Sequence, residues 1–592
     1  MKHFSLTTIL VLLISLPAFA GPVDAAAASE TARAFFRNDP SPALRMAEIS
    51  HVRLYAAPLS KAAEAEPAFY IFNREGGGFV IVSGDDACKP ILAYSYENSF
   101  GSAGDMPDGL RDWLADFEAQ VAQVRAEGVN PAPSRTAADM TGYKTEILHK
   151  TPAWHQGEPF NRLCPKDNGK ETWAGCVPLA MCLVMNFFGH PAHGTGTLPS
   201  YDYSYYGMAY HVDSIQLGHP YEWDKFSNVN FNRKYTEEQA NAIAILVRDV
   251  GAAGKSGYTV EGTESDFERI VPAVIEHFGY DPNVTQLSRE FFTDEEWMDL
   301  IKADLQDHPL IYAASSDDSG HAFVVDGYDK KNYLHVNWGW GPYYIGYYAL
   351  SAFTPSADEN FKYGHTTVLG LVPDKGQGGS PEDFLFLSSG GGSDGKYYRG
   401  LYCNGSAERG KKFSVDVAWY FNGGLADFNG KIAIALVDKD GNILEKVSGD
   451  NEVKDLEPRG GRGEFGISCK FESYPMEGDR LMLIYHSDKW PEGVWKTPRY
   501  SLDDRVVSEL PVTVDNTALA EVTSLSYSKA SGKMTMKTKD RVNWSVKDSS
   551  GRTVAEGVSE SFGIALPAGL AAGSYTLTLT RGEDTQSVTL KM

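Results

Sequence analysis

One of the six cysteines, Cys176, stands directly before an apolar run, 179–188, that is typical of a buried helix. Gly175 allows a close approach and Pro178 is tolerated in a first helical turn, so the pattern predicts that Cys176 lies at a helix N-terminus. The free N–H groups and the dipole of a helix start favour the thiolate, which is the form that attacks a carbonyl carbon. Cys176 is therefore a candidate nucleophile, although a lone cysteine is more often a buried structural residue.

A histidine and an asparagine later in the chain extend this pattern. His321 stands at the start of an apolar run, 322–326, and Asn337 lies in the next predicted strand, 334–338. Neighbouring strands would bring the Asn337 amide beside the His321 imidazole and hold its tautomer, while the other ring nitrogen takes the thiol proton. The order Cys, His, Asn, with the His roughly 130 to 150 residues after the Cys, matches the arrangement of papain-like cysteine peptidases.

Cys176 with its predicted helix and four further segments resemble the streptopain family, which comprises papain-fold cysteine peptidases of bacteria. One segment is similar to the family's inhibitory propeptide and three are similar to its active-site blocks. In chain order they are AFYIFNREGGGFVIVSGDD (68–86), WHQGEPFNRLCP (154–165), GHAFVVDGY (320–328) and HVNWGWG (335–341). The resemblance extends over residues 30–373. His155, Ala174 and Pro178 depart from the family pattern, which bears on the shape of the pocket more than on the chemistry.

The resemblance implies a role for each of five residues. Cys176 would be the nucleophile, His321 the general base and acid, and Asn337 the residue that orients the imidazole. Gln156, together with the backbone N–H of Cys176, would stabilise the oxyanion of the tetrahedral intermediate. Trp338 would cover the contact between the histidine and the asparagine and exclude water from it.

The chain is too long for a single hydrophobic core, and its composition changes along its length. The expected fold class is α+β, with a papain-like peptidase domain between an α+β propeptide and two β-sandwich-like domains. Asp374–Glu382 has the composition of a linker. The predicted regions are a signal peptide (1–20), an inhibitory propeptide (21–144), the peptidase domain (145–373), a β-sandwich domain (383–513) and a C-terminal β domain (516–592).

Charge and the N-terminal segment indicate where the protein acts. Residues 1–20 combine a positive start, an apolar centre and the small-x-small ending Ala18-Phe19-Ala20, which predicts an export signal cleaved after Ala20. The mature chain would then be secreted, periplasmic or on the cell surface. The formal charge of −24 disfavours nucleic acid as a partner. No later apolar run is long enough to predict a membrane span.

The remaining cysteines and histidines carry weaker signals. Cys182 is predicted to lie in the core, whereas Cys403 and Cys469 fall in the same β domain and could form a disulfide. The histidines at 190, 193, 211 and 219 lack the close spacing of metal ligands and are expected in surface loops. Neither a metal nor another cofactor is expected.

The sequence thus predicts a secreted cysteine endopeptidase made as a zymogen, with protein or peptide substrates and its own propeptide as partners. We expect activation by cleavage between Arg135 and Lys150, in an exposed segment rich in proline and basic residues. Two other functions remain open: a binding or adhesion protein that uses its β domains, and a Cys-His acyl transferase or amidase. The C-terminal domain faintly resembles sorting domains of Bacteroidetes cargo proteins, and a plain β-sandwich module is the alternative.

Overall fold

The computed structural model divides the chain into two compact units, Met1–Pro381 and Glu382–Met592. It describes residues 21–52, 66–102, 106–127, 140–205, 208–229, 234–265, 267–315, 320–352, 364–380, 382–391, 397–473, 475–502, 506–513, 522–528, 533–538, 542–558, 564–565, 570–581 and 584–591. The predicted signal peptide and Arg135 lie outside these ranges. Across the described ranges, no helix has both the length and the apolarity needed to cross a membrane.

The helices of the first unit begin where local sequence signals place them. Thr236 and Thr293 each accept a hydrogen bond from the backbone N–H three residues on, and Gln239 and Glu296 return one, so the segments Thr-x-x-Gln and Thr-x-x-Glu form capping boxes. The helices are α1 Ala25–Phe36, α2 Asp108–Glu127, α3 Cys176–Phe188, α4 Glu237–Ala253, α5 Phe267–Phe278 and α6 Asp294–Asp304, with 3₁₀ turns at Pro42–Leu44, Trp223–Asn228 and Arg289–Phe291.

The strands of the first unit are short and irregularly spaced. They are β1 Ile49–Val52, β2 Phe69–Arg74, β3 Phe79–Ser83, β4 Ile91–Ser95, β5 Thr145–Leu148, β6 Thr197–Leu198, β7 Tyr201–Tyr205, β8 Met208–Val212, β9 Ile215–Gln216, β10 Gly257–Tyr258, β11 Thr263–Glu264, β12 Thr285–Ser288, β13 Leu310–Ser315, β14 Gly320–Asp329, β15 Leu334–Asn337, β16 Gly346–Tyr348 and β17 His365–Leu369. The segment that contains Gly76-Gly77-Gly78 joins β2 and β3, which pair as an antiparallel hairpin.

One antiparallel sheet runs through the predicted propeptide and the predicted peptidase domain. Its order is β1-β2-β3-β4-β16-β15-β14-β13-β17-β12, and β5 pairs with β14. The junction lies between β4 and β16, where Tyr94 is opposite Tyr347 and Ala93 is opposite Tyr348. The N-terminal region therefore adds strands to the sheet that carries His321 and Asn337.

Helix α3 is the central helix of this unit. Its side chains from Val177 to Met185 are all buried, and it packs against β14 and α4. Burial of each large apolar side chain contributes roughly 1.5 to 3 kcal/mol, so this packing holds the helix start in place. The helix ends at Gly189, whose φ of 59° is left-handed and suits glycine.

The second unit is built from strands. They are β18 Leu385–Gly391, β19 Tyr397–Arg399, β20 Leu401–Asn404, β21 Phe413–Asn422, β22 Phe428–Val437, β23 Ile443–Lys446, β24 Asn451–Leu456, β25 Gly461–Cys469, β26 Arg480–Ser487, β27 Arg499–Tyr500, β28 Glu509–Pro511, β29 Val522–Ser528, β30 Lys533–Thr538, β31 Asn543–Asp548, β32 Thr553–Val558, β33 Ile564–Ala565, β34 Ser574–Arg581 and β35 Asp584–Lys591.

Two sheets of the second unit share one core, as a β-sandwich requires. Val415 and Val417 of β21 belong to the same buried cluster as Ile432 and Ile434 of β22. A smaller cluster, which includes Trp544, is formed within the sheet β32-β31-β34-β35. These sheets, together with the mixed helices and strands of the first unit, confirm the predicted α+β fold class with β domains after the peptidase.

The possible disulfide between Cys403 and Cys469 is not formed, because both thiols are free. Cys403 is opposite Val415 on one side of β21, and Cys469 is opposite Phe413 on the other side. An intervening strand separates the two residues by about twice the 4.8 Å strand spacing, which is too far for an S–S bond. Cys182 is fully buried, as predicted.

Candidate active site

Cys176 is the first residue of α3 and is partly exposed. Gly175 precedes the helix with φ of 94°, a conformation that L side chains rarely adopt, and a Cβ there would lie 2.9 Å from Thr263 Cγ2. Glycine is therefore required for the turn that presents the thiol. The predicted helix start at Cys176 is confirmed.

His321 is the second residue of β14 and is almost fully buried. Its Nε2 lies 2.9 Å from the backbone oxygen of Trp338. A carbonyl oxygen only accepts hydrogen bonds, so Nε2 carries a proton and donates it to Trp338. The ring is also hydrogen-bonded to Cys176, and Nδ1 is the nitrogen left for that contact. Cys176 and His321, which are distant in the sequence, thus meet.

The pKa values of Cys176 and His321 shift in opposite directions. Burial by itself raises the pKa of Cys176, but the charge of His321, its hydrogen bond and the N–H groups of Ala322 and Val177 outweigh burial and lower the pKa overall. Burial likewise lowers the pKa of His321, and the opposing effects of Cys176 and the Trp338 carbonyl raise it overall. Both shifts favour a thiolate and an imidazolium over two neutral groups.

Asn337 does not make the predicted direct contact with His321. It is opposite Val324 in the pairing of β14 with β15. Its Nδ2 donates to Thr151 Oγ1 at 2.9 Å and to the Pro152 oxygen at 3.0 Å. Its Oδ1 accepts from the backbone N–H of Gly339 at 3.1 Å. Both ends of the Asn337 amide thus have other partners. The contact with His321 that was predicted for Asn337 is made by the backbone oxygen of the next residue, Trp338.

Trp338 contributes its backbone oxygen as well as its ring. The indole is fully buried, with its ring centroid 4.5 Å from that of Phe323 and 5.9 Å from that of Trp113. The indole therefore lies in a buried aromatic cluster with Phe323 of β14 and Trp113 of α2. The sequence pattern predicted a covering role for Trp338 and missed the contact through its backbone.

Gln156 is buried and lines a cavity of about 500 Å³. Its backbone oxygen accepts a hydrogen bond of 2.9 Å from Ala174, two residues before Cys176. This bond ties the predicted oxyanion residue to the loop that carries the nucleophile. The other residues that line the cavity are Gly101, Ser102, His155, Trp173, Trp340, Tyr343 and Tyr344.

Helix α2 of the N-terminal region lies against His321. A Cβ added at Gly109 would be 2.5 Å from the Cβ of His321, so the backbone of α2 lies directly against the His321 side chain. The Trp113 indole N–H donates to the Ala349 oxygen at 3.0 Å, and Gln120 Oε1 accepts from the Ala352 N–H at 2.6 Å. Sequence patterns identified the helix but gave no sign that Gly109 touches the candidate base.

The residues described by the structure include no group of three or more His, Cys, Asp or Glu placed to hold a metal ion. His211 lies 2.6 Å from Asp202, and His219 lies 2.5 Å from the buried carboxylate of Asp249. These two histidines therefore have protein partners.

We expect the thiolate of Cys176 to persist at lower pH than that of an ordinary cysteine. Since His321 lowers the pKa of Cys176, alkylation by iodoacetamide should continue as the pH falls through about 8.5 and stop only below the shifted pKa. In His321→Ala the largest remaining influence on the pKa of Cys176 is burial, which raises it. Alkylation should therefore require a higher pH than in the wild type. Mass spectrometry of the Cys176 peptide across a pH series measures both profiles.

Cys403 provides an internal control because it is also partly exposed and burial raises its pKa. Its alkylation should need a higher pH than that of Cys176 and should not change in His321→Ala. Identical pH profiles for Cys176 in the wild type and in the variant would contradict the ion pair.

Two protein-family models match the first unit. The model described as the Peptidase C10 family matches residues 154–348, which contain all five predicted site residues. The model described as Spi protease inhibitor matches residues 20–121, which contain most of α2. A solved structure, a fragment of prointerpain A from Prevotella intermedia, is 27% identical with a TM-score of 0.44, and the match covers 55% of this chain and 100% of that one.

Curated relatives extend the similarity. Thiol protease/hemagglutinin PrtT from Porphyromonas gingivalis is 30% identical over 388 residues, 62% of this chain, and the match spans only 44% of its own length. Streptopain from Streptococcus pyogenes serotype M28 is 30% identical over 311 residues, 49% of this chain and 75% of that protein. These matches confirm the predicted resemblance, and the chain belongs to the peptidase C10 family of streptopain-like cysteine peptidases.

Proposed function

We propose that this chain is the zymogen of an exported cysteine endopeptidase that hydrolyses peptide bonds of other proteins. The observation that carries the proposal is the pair formed by Cys176 at a helix start and His321, whose far nitrogen is held by the Trp338 oxygen. A thiol hydrogen-bonded to an oriented imidazole is the arrangement that activates a cysteine nucleophile.

The reaction follows from the protonation of the pair. The Cys176 thiolate attacks the carbonyl carbon of the scissile bond, and His321 then donates its Nδ1 proton to the leaving amine. The thioester that remains is attacked by water, from which His321 takes a proton as general base, and the acid product leaves with the thiolate restored. Throughout, the Nε2–H of His321 stays bonded to Trp338, so the ring keeps its orientation while Nδ1 gains and loses its proton.

Two donors are proposed for the negative oxygen of the tetrahedral intermediate. The N–H of Cys176 lies in the first turn of α3, where backbone N–H groups have no partner within the helix. The Gln156 amide is buried beside the loop that leads to Cys176. Loss of one such donor in other hydrolases costs roughly 3 to 4 kcal/mol of transition-state stabilisation.

The cavity next to these donors supports an extended peptide as substrate. Its lining includes Trp173 and Trp340, whose rings are nearly parallel with centroids 6.4 Å apart. Trp340 also lies edge-on to His321, with centroids 5.8 Å apart. Large aromatic surfaces beside a nucleophile suit contact with apolar side chains of a peptide, with polar groups fixing its orientation.

The N-terminal region is proposed to inhibit the enzyme until it is cleaved away. The contact of Gly109 with His321 leaves no room for a substrate on that side of the imidazole. Release would follow cleavage between Arg135 and Lys150. Lys150 is exposed and has a φ of 47°, whereas Arg135 lies outside the described residues. Export is proposed on the pattern of residues 1–20, which the structure does not describe.

Cys176→Ala should leave the precursor at full length, because the variant has no nucleophile to process itself. The wild-type protein, purified alone and incubated, should convert to a shorter form that a peptidyl epoxide labels at Cys176. Gel electrophoresis and mass spectrometry of the two proteins measure the difference. Normal conversion of the pure variant would show that self-processing is not the route of maturation.

The same two proteins distinguish peptide hydrolysis from the two alternatives, acyl transfer or amidase chemistry and a binding protein. An endopeptidase should cleave an unfolded protein and lose this activity in Cys176→Ala. Epoxide labelling without cleavage of any protein would favour acyl transfer or amidase chemistry. A lack of both would favour a binding protein.

Gly109→Leu should weaken inhibition by the N-terminal region. The added side chain overlaps His321, and overpacking of this kind costs roughly 1 to 3 kcal/mol, so the undocked state should become about ten times more populated. The measurement is the initial rate of peptide hydrolysis by fresh precursor, before any shorter form is visible.

Ala119→Leu is the matched control, since Ala119 is an exposed position of the same helix. This variant should keep the low initial rate of the wild-type precursor. Equal initial rates for Gly109→Leu and the wild type would contradict inhibition through the His321 contact.

A further inference from the structure

A chain of hydrogen bonds that includes the buried Asp326 carboxylate leads to the turn whose Trp338 oxygen holds His321. Asn337 Nδ2 donates to Thr151 Oγ1 at 2.9 Å, and Thr151 Oγ1 lies 2.6 Å from Asp326 Oδ2. On the far side of the carboxylate, Asp326 Oδ1 lies 2.5 Å from His335 Nδ1. Asp326 and Asn337 are fully buried. None of these residues touches the nucleophile, yet the chain ends one residue from the carbonyl that orients the base.

The direction of each bond is set by Asp326. Burial raises its pKa, but the charge and hydrogen bond of His335 and the bonds from Thr151 outweigh burial and lower the pKa overall. An ionised carboxylate only accepts hydrogen bonds, so the single hydroxyl proton of Thr151 points to Asp326. The hydroxyl oxygen of Thr151 is then the acceptor for Asn337. Thr151 is the only member of this chain of bonds that must both donate and accept through one atom.

The Asn337 amide, held by Thr151, in turn fixes the backbone around Trp338. Its Oδ1 accepts the Gly339 N–H at 3.1 Å, which closes an Asx turn with Trp338 at its centre. Gly339 has a φ of 70°, a left-handed conformation that favours glycine as the residue after Trp338. With both ends of the amide held, the peptide group of Trp338 has one orientation, and its oxygen faces His321 Nε2.

We infer that Thr151 is a positioning residue for the Cys176–His321 pair. Its hydroxyl holds the Asn337 amide, the amide holds the turn at Trp338, and the Trp338 oxygen holds the imidazole. The inference deepens the proposed function and rests on it.

Thr151 is itself held firmly by the peptidase sheet. Its backbone N–H donates to Asp326 Oδ2 at 2.9 Å, and the N–H of His149 donates to the Asp326 backbone oxygen at 2.8 Å. Just before it, β5 pairs with β14. The cleavage that removes the N-terminal region must therefore leave Thr151 attached to the mature enzyme.

The test compares Thr151→Val with Thr151→Ser in the full chain. Immobilised wild-type enzyme processes both variants, so a variant that cannot process itself still yields mature enzyme for the measurement. Valine keeps the shape and removes the hydroxyl, whereas serine keeps the hydroxyl. We expect Thr151→Val to lower kcat about tenfold to a hundredfold, because small displacements of a catalytic group have effects of this size. KM should change little, since Thr151 does not reach the cavity. Thr151→Ser should recover most of kcat.

A second measurement reports the ion pair directly. With the imidazole held less firmly, the pH profile of Cys176 alkylation should move to higher pH in Thr151→Val and stay close to the wild type in Thr151→Ser. Among the described residues, the titratable groups with the largest effects on the pKa of His321 are Cys176 and, before processing, Asp108 of α2. Processed enzyme lacks Asp108, so the profile then no longer includes the effect of that carboxylate. Thr151→Ala is measured alongside, and it replaces Thr151→Val if the valine variant does not fold.

Thr367→Val is the matched control. Thr367 is fully buried, whereas Thr151 is half-buried, and Thr367 donates its hydroxyl to the Ile311 oxygen at 3.0 Å in β13, away from this chain of bonds. It should lose thermal stability without a shift in the alkylation profile. Wild-type kcat and alkylation in Thr151→Val, equal losses in the serine variant, or the same losses in Thr367→Val would overturn the inference. An inactive wild type would overturn the proposed function, and the inference with it.

Discussion

The hydrogen bond from His321 Nε2 to the Trp338 oxygen is the contact on which the rest of the candidate site depends. An imidazole has only two ring nitrogens, and engaging one with a backbone carbonyl fixes both the tautomer and the direction in which the other points. Since a carbonyl oxygen cannot rotate independently of its peptide group, this arrangement requires a rigid turn around Trp338. The buried Asn337 amide and the left-handed Gly339 supply that turn.

At Cys176 and His321, the surroundings offset the cost that burial imposes on a thiolate and an imidazolium. Burial disfavours both charges, and each partner lowers that cost for the other. Backbone N–H groups at the start of α3 add to this effect on the thiolate side. On the imidazole side the Trp338 oxygen does the same. Backbone groups therefore supply part of the stabilisation on both sides of the pair, and a pattern of side chains in the sequence does not reveal them.

The N-terminal region meets the peptidase region through two kinds of contact. Pairing of β4 with β16 uses backbone hydrogen bonds and tolerates many side chains. The specific contacts are made by side chains, namely those of α2 and that of Tyr94 in β4, whose hydroxyl donates to Asp329 at 2.6 Å. Closest to the chemistry is Gly109, where the absence of a side chain lets the helix reach His321. A glycine inside a helical pattern normally signals only weaker helix stability, so its function here depends on what lies opposite.

The sequence by itself determined the elements of this protein and the pair of residues at its centre. Capping boxes placed the starts of α4 and α6, and a glycine and a proline around Cys176 placed the start of α3, because these signals act within one helical turn. Only the tertiary structure decided that the Trp338 oxygen, not the Asn337 amide, holds His321. The register of β14 against β15 sets that choice, and register depends on the packing of the whole sheet. No sequence pattern pointed to Thr151, for the same reason. Its hydroxyl acquires a role only when distant segments fold around the buried Asp326 carboxylate.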